Sequence, residues 1–306
     1  MPPVVKPTEM KRRLLLAPLI AAPVAWLGGC AWVQDVDHSG SDAPAAAPIS
    51  RPVQTAWVLS SGGPRGFAHV GVLRALTELG LRPDLLVGAS IGSLIGSLYA
   101  GGMAPNAIEK LAIEFNVMDA VRPHLFAGGT GEKLSGEGLV GMVNQLIDSR
   151  PLEQLPIPMA VVAMNQASRE VVAFTRGNAG VAIQASCAIE GTLAPVRIRG
   201  LAYVDPDLGT PMPVRLAHSL GARRVLAVDV SAYEARAPAG SERYRAGDLR
   251  KRALTEPEAR AATYTLHPEF SYYVSLSQGF REQVIRAGYE QTMAQAVQLR
   301  AALLGA

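Results

Sequence analysis

The sequence predicts an α/β protein built on a mainly parallel central sheet. From Thr55 onward, short apolar runs alternate with helix-length amphipathic segments, the arrangement that gives parallel strands covered by helices on both faces. One such run, "RRVLAVDVS" (223–231), has the β-branched, apolar character of a buried strand. With 49% apolar and 18% charged residues, the 306-residue chain has the composition of an ordinary folded protein and is long enough for one large domain or two small ones.

In chain order, the first strand is expected at 55–60, followed by a glycine-rich turn at 61–66 and a helix running to Leu79 and closed by Gly80. A second strand at 84–88 feeds a helix at 90–100. Helices near 105–115 and 136–148 flank the loop "FAGGTGEKLSG", and "PIPMAVVAMN" with "EVVAF" reads as a hairpin-like pair of strands. After the strand at 223–231, the polar stretch 232–252 reads as a surface loop and 278–304 as a terminal helix. No internal repeat and no second domain appear.

The N-terminus has a different character. Lys11, Arg12 and Arg13 precede a sixteen-residue apolar run, 14–29, broken by Pro18 and Pro23 and shorter than the roughly 20 residues of a membrane span. The segment Leu27-Gly28-Gly29-Cys30 resembles a bacterial lipobox, which implies a signal peptide over 1–29, cleavage before Cys30 and lipidation of its thiol. Residues 30–53, rich in Ala, Pro, Ser and Asp, read as a flexible tether in which His38 is solvated. Ala31 does not resemble the aspartate that marks inner-membrane retention. The expected location is therefore the cell envelope, on the periplasmic face of the outer membrane, with a membrane contact through the lipid anchor.

The net charge of +3 belongs largely to that leader. Residues 1–29 hold four of the 29 Lys and Arg and one of the 26 Asp and Glu, leaving 25 of each. A neutral remainder without a basic, aromatic-interleaved run excludes a nucleic-acid partner. With Cys30 lipidated, Cys187 stands alone and no intrachain disulfide can form.

The chemistry centres on Gly88-Ala89-Ser90-Ile91-Gly92. A serine hydroxyl becomes a nucleophile only when it is exposed, paired with a base and faced by donors for the developing oxyanion. A G-x-S-x-G turn between strand and helix supplies the exposure, although the same pentapeptide also serves as a plain tight turn. Upstream, "SSGGPRGFAHVGVL" places Gly62, Gly63 and Gly66 between a strand and a helix, where several backbone amides converge as an oxyanion hole requires. A dinucleotide site would need glycine where Ser61 stands, and no G-K-[ST] follows. Arg65 lies in this loop, placed to meet an anionic substrate, to orient the loop through carbonyl bonds, or simply to face solvent.

Taken in order, "GGPRGFAHVGVL", "GASIGSL" and "YVDPDLGTPMPV" resemble the patatin-like phospholipase family. The resemblance runs from about Thr55 to the C-terminus, with echoes in "IQASCAIEGTLAPV", "LGARRVLAVDVS" and "FREQVIRAGYE". It implies a three-layer α/β/α hydrolase domain over 54–306 that cleaves phospholipid or lysophospholipid esters through an acyl-serine, with a Ser-Asp dyad and neither metal nor other cofactor. By position, Ser90 is the implied nucleophile and Asp205 the base. The oxyanion donors fall among the amides of Gly62, Gly63, Arg65 and Gly66, since Pro64 has no N–H.

Two departures stand out. Ser61 replaces the family's first loop glycine, and the usual Asp-Gly-Gly or Asp-Gly-Ala has become Asp205-Pro206-Asp207. Proline removes an amide that would bond the aspartate and pushes Asp205 toward extended backbone. Asp207 is an auxiliary candidate, able to raise the pKa of Asp205 or replace it as base. These changes keep open an alternative, a catalytically impaired lipoprotein of the same fold that binds lipid or a protein partner, and a further one in which the acyl group passes to another lipid. His218 and His267 follow Ser and Asp in the order of a triad but lack supporting context. His69 is expected to make a structural hydrogen bond, and His124 is uninformative.

Overall fold

The computed structural model describes residues 36–123 and 134–304. Cys30, His124 and most of the loop "FAGGTGEKLSG" lie outside these residues, as does the leader.

Nine strands form one mixed, mainly parallel sheet: β1 (Asp37–His38), β2 (Thr55–Leu59), β3 (Leu85–Ala89), β4 (Met159–Asn165), β5 (Val171–Phe174), β6 (Val196–Ile198), β7 (Leu201–Val204), β8 (Arg224–Val228) and β9 (Tyr264–Leu266). Their order across the sheet is β1-β6-β7-β4-β3-β2-β8-β9, with β5 also paired to β4. The centre, β4-β3-β2-β8-β9, is parallel throughout. The antiparallel pairs are β4 with β5, β4 with β7, and β6 with β7.

Burial explains why the central strands read as continuous apolar runs. In β2, Trp57 and Leu59 enter one core while Ala56 and Val58 enter the other; Leu226 and Val228 against Val225 and Ala227 divide β8 in the same way. Successive side chains of a strand point to opposite faces, so a strand buried on both sides shows no polar positions. Helices α1 (Ala68–Glu78), α2 (Ile91–Ala100), α3 (Pro105–Glu114), α4 (Glu137–Leu146) and α5 (Ala179–Ser186) precede α6 (Val214–Ser219), α7 (Glu242–Ala261), α8 (Gln278–Ala294) and α9 (Ala296–Leu304). Packing on both faces completes the three layers. The core residues lie between Ala43 and Leu303, and the described residues form one compact unit that carries the whole of that core.

Three sequence expectations change. The stretch read as a tether is docked from Val36 on. Asp37–His38 pairs with β6, the Asp37 carboxylate accepts the Gly200 N–H at 3.0 Å, Ala43 is buried, and Ala45 exchanges backbone hydrogen bonds with Thr175 and Arg176. Composition misled here because the ordering comes from a distant strand edge that supplies backbone partners. The polar stretch 232–252 is partly helical: Ser241 caps α7, whose twenty residues contain Pro257 and lack an apolar stripe. The single terminal helix is two, α8 and α9, meeting at Gln295.

Candidate active site

The parallel registers bring the C-terminal ends of β2, β3 and β8 level, pairing Leu59 with Gly88 and Val228 with Leu59. That edge is where open α/β sheets hold their ligands. β7 arrives antiparallel. Since Ala89 pairs with Val162 and Val204 with Met164, one further residue along each strand sets Ser90 and Asp205 on either side of Ala163. Two residues 115 positions apart in sequence thus meet, and the Ser90 Oγ donates to Asp205 Oδ2 at 2.5 Å.

Ser90 has φ 53° and ψ −126°, a strained conformation for a non-glycine residue costing on the order of 1–3 kcal/mol. Its surroundings enforce it. A Cβ at Gly88 would lie 2.5 Å from the Ser93 Cα, and one at Gly92 would lie 2.2 Å from the Leu59 carbonyl oxygen, so only glycine lets strand and helix close this tightly. The Ser90 N–H donates to the Ser186 Oγ at 2.9 Å, and the Ser186 hydroxyl donates to the Val162 carbonyl at 2.5 Å. Ser90 also caps α2, whose positive end favours developing negative charge.

Asp205 is 4% exposed. Burial pushes its carboxyl from 3.8 up to about 7; the Asp207 charge adds to the rise, while the Ser90 hydroxyl, the Asp207 amide and Lys251 oppose it. A base with a pKa near neutrality combines an available deprotonated form with useful proton affinity. Pro206 does not turn this side chain away. Asp205 is extended, at φ −56° and ψ 131°, and its Oδ1 accepts the Asp207 N–H at 2.9 Å in place of the amide that proline removes.

Asp207 does not reach Ser90. Its Oδ1 accepts from the Ser61 hydroxyl and from the Lys251 ammonium, the latter at 2.5 Å, and Lys251 Nζ lies 3.2 Å from the Ser61 Oγ. Burial alone would raise the Asp207 carboxyl; Lys251 and the Ser61 hydroxyl outweigh it and hold the group below its ordinary value. The structure therefore rules against Asp207 as a substitute base. The two departures of this chain from the family pattern, Ser61 and Asp207, are bonded to each other.

Among the oxyanion candidates, Arg65 is corrected. Its N–H bonds the Gly62 carbonyl at 3.2 Å within the 3-10 turn Gly63–Phe67, so it is not free for a substrate. Gly66 sits inside the same turn, where a Cβ would lie 2.1 Å from the Ile91 Cγ2, so its absent side chain serves packing. Among the described residues, the amides of Gly62 and Gly63, at the N-terminal end of this turn, have no protein acceptor. The Arg65 guanidinium pins the loop from behind, donating to the Val230 carbonyl at 2.7 Å and the Tyr272 carbonyl at 3.1 Å and lying 4.4 Å from the Phe270 ring centre.

Among the described residues, no histidine reaches the Ser90–Asp205 pair. His69 is fully buried, its Nε2 2.9 Å from the Ser60 carbonyl, and burial lowers its pKa to about 4. His218 faces the Ala222 and Ala261 carbonyls, and His267 stacks on Tyr233. Ser186 and Lys251 were missed from the sequence. Ser186 lies inside "IQASCAIEG", a segment noted for resemblance without a role, and Lys251 lies in the stretch read as loop. Directly after Ser90, Ile91, Leu94 and Leu98 of α2 face Ile108, Leu111 and Phe115 across an apolar cavity of about 40 Å³.

A solved structure shares this architecture, and other known proteins resemble the sequence. VipD from Legionella pneumophila superposes with a TM-score of 0.51 at 14% identity, covering 87% of this chain and 71% of that one, a likeness of fold. An uncharacterised NTE family protein of Mycobacterium bovis is 32% identical over 197 residues, 63% of this chain and 54% of that protein. A lysophospholipase of Mycosarcoma maydis is 31% identical over 189 residues, 59% of this chain and 10% of that protein. The chain thus spans about half the length of the first relative and far less of the second. A family model described as patatin-like phospholipase matches residues 57–218, more than half of the 306. The chain belongs to the patatin-like phospholipase family.

Proposed function

We propose that this protein is a lipid acyl hydrolase that cleaves carboxylic esters of phospholipids or lysophospholipids. The observation that carries the reading is the 2.5 Å hydrogen bond from the strained Ser90 hydroxyl to a buried Asp205. Asp205 takes the hydroxyl proton as Oγ attacks the ester carbonyl, and the Gly62 and Gly63 amides face the oxyanion. The same proton passes to the departing alcohol. Water, deprotonated by Asp205, then releases the fatty acid and restores Ser90. The cavity beginning at Ile91 offers an acyl chain an apolar wall next to the nucleophile. The lysophospholipase name of the Mycosarcoma relative supports the same substrate class. The lipobox-like segment at Cys30 supports attachment to the bacterial cell envelope, beside such a substrate.

The test uses residues 33–306. Lysophospholipid hydrolysis and fluorophosphonate labelling are measured for the parent, Ser90→Ala and Asp205→Asn. Both variants are expected to lose at least roughly 10³-fold in kcat. Unchanged hydrolysis in Ser90→Ala overturns the reading. A parent that neither labels nor hydrolyses any ester is the binding protein instead.

A further inference from the structure

The first half of α7 is barely covered by the fold: among the described residues it meets Tyr272, whose hydroxyl donates to the Asp248 carboxylate at 2.5 Å, and Tyr273. Of residues 242–250, Asp248 alone is half-buried and the other eight are exposed on every side of the helix. A helix so exposed gains little from tertiary packing, so its composition reports on something outside the chain. That composition is basic. Residues 242–250 hold Arg243, Arg245 and Arg250 against Glu242 and Asp248, whereas residues 30–306 as a whole are neutral; Lys251 and Arg252, the next two residues, face Asp207 and Glu234. Beside this half-helix runs 273–279, where every residue is exposed.

The same area carries apolar groups in water. Tyr244 is 42% exposed, Leu249 44%, Tyr273 51%, Val274 49% and Leu276 52%. The Tyr244 ring meets Tyr272 and Tyr273 edge-on, which makes one aromatic cluster of the helix and the loop. This cluster borders the reaction centre. A cleft of about 310 Å³ is walled by Tyr244, Tyr273 and Val274 on one side and by Gly62 and Pro64 of the oxyanion loop on the other. A second cleft, of about 490 Å³, runs from Asp207 to Arg250 and Lys251.

We infer that the first half of α7 together with residues 272–277 is a docking face for an anionic phospholipid surface, holding the mouth of the Ser90 site against the bilayer. This deepens the proposed function and rests on it for the lipid. Exposed aliphatic and tyrosine side chains ringed by arginine suit the headgroup boundary, where the apolar parts enter the acyl region and the cations meet phosphate. The contact is interfacial, because no helix of the described residues is long and apolar enough to cross a membrane.

The test separates docking from chemistry by measuring binding on residues 33–306 carrying Ser90→Ala, with vesicles of phosphatidylcholine alone or mixed with phosphatidylglycerol. Sedimentation with the mixed vesicles is expected, weakening as salt rises. Adding Arg243→Gln, Arg245→Gln and Arg250→Gln together is expected to lower partitioning roughly 100-fold, about fivefold per charge. Leu249→Ser with Leu276→Ser lowers it as well. In the Ser90 background, neither set changes hydrolysis of a soluble short-chain ester. Absence of binding to mixed vesicles, or equal binding by parent and variants, overturns the docking face whatever Ser90 proves to do. Loss of binding with turnover of the soluble ester retained establishes it.

Discussion

Replacing Asp205 by Asn is expected to stabilise the protein in mildly alkaline solution while silencing its chemistry. The carboxyl titrates near 7 in the fold against 3.8 ordinarily. The folded state therefore keeps its proton to higher pH than the unfolded chain does. For a raised pKa, stability is fully present below 3.8 and lost progressively as pH climbs to about 7. A rise of about three units at 1.36 kcal/mol per unit is a loss of about 4 kcal/mol, largely the cost of holding a charge among buried neighbours. Asparagine imitates the protonated acid, because its Oδ1 can accept the Asp207 N–H and its amide can donate to the Ser90 Oγ. Urea unfolding of residues 33–306 should give parent and variant similar stabilities at about pH 4. By about pH 8 the variant should lead by up to about 4 kcal/mol. A difference that does not change with pH, or a variant less stable than the parent at alkaline pH, refutes the assignment of Asp205 as a buried carboxyl with a raised pKa.

Two further outcomes follow from the elbow and its supports. Gly92→Ala drives a methyl group to 2.2 Å from the Leu59 carbonyl oxygen, and thermal unfolding should show a loss of about 1–3 kcal/mol together with a fall in kcat. Lys251→Met removes a cation that lowers the Asp205 carboxyl, so the acid limb of the kcat/KM profile should move to higher pH, whereas Lys251→Arg should leave it near the parent's.

What the chain revealed in advance was local. The elbow was legible because its glycines and serine are packed into five residues whose geometry depends on one another, and the central strands because burial on both faces writes continuous apolar runs. His69, expected to make a structural hydrogen bond, is buried against the Ser60 carbonyl. Asp205 stands out only by resemblance, since no local rule separates a candidate base from a turn opener. What escaped depends on contacts far apart in sequence. Ser186 orders the Ser90 amide across 96 residues, Lys251 neutralises Asp207 across 44, and Ala45 finds its partners near Arg176. The helical character of 242–261 was hidden by the absence of an apolar stripe and by Pro257, two features that argue for a loop when tertiary surroundings are unknown.

Ser61 and Asp207, 146 residues apart, make one unit with Lys251. A chimera whose crossover falls between them inherits only half of that unit. Glycine at 207 leaves the Ser61 hydroxyl without its acceptor and the Lys251 ammonium without its counter-ion, whereas glycine at 61 takes one donor from the Asp207 carboxylate. Exchange of both positions together is the recombination this architecture tolerates, and measured coupling between the two substitutions should depart from additivity by roughly 0.5–3 kcal/mol.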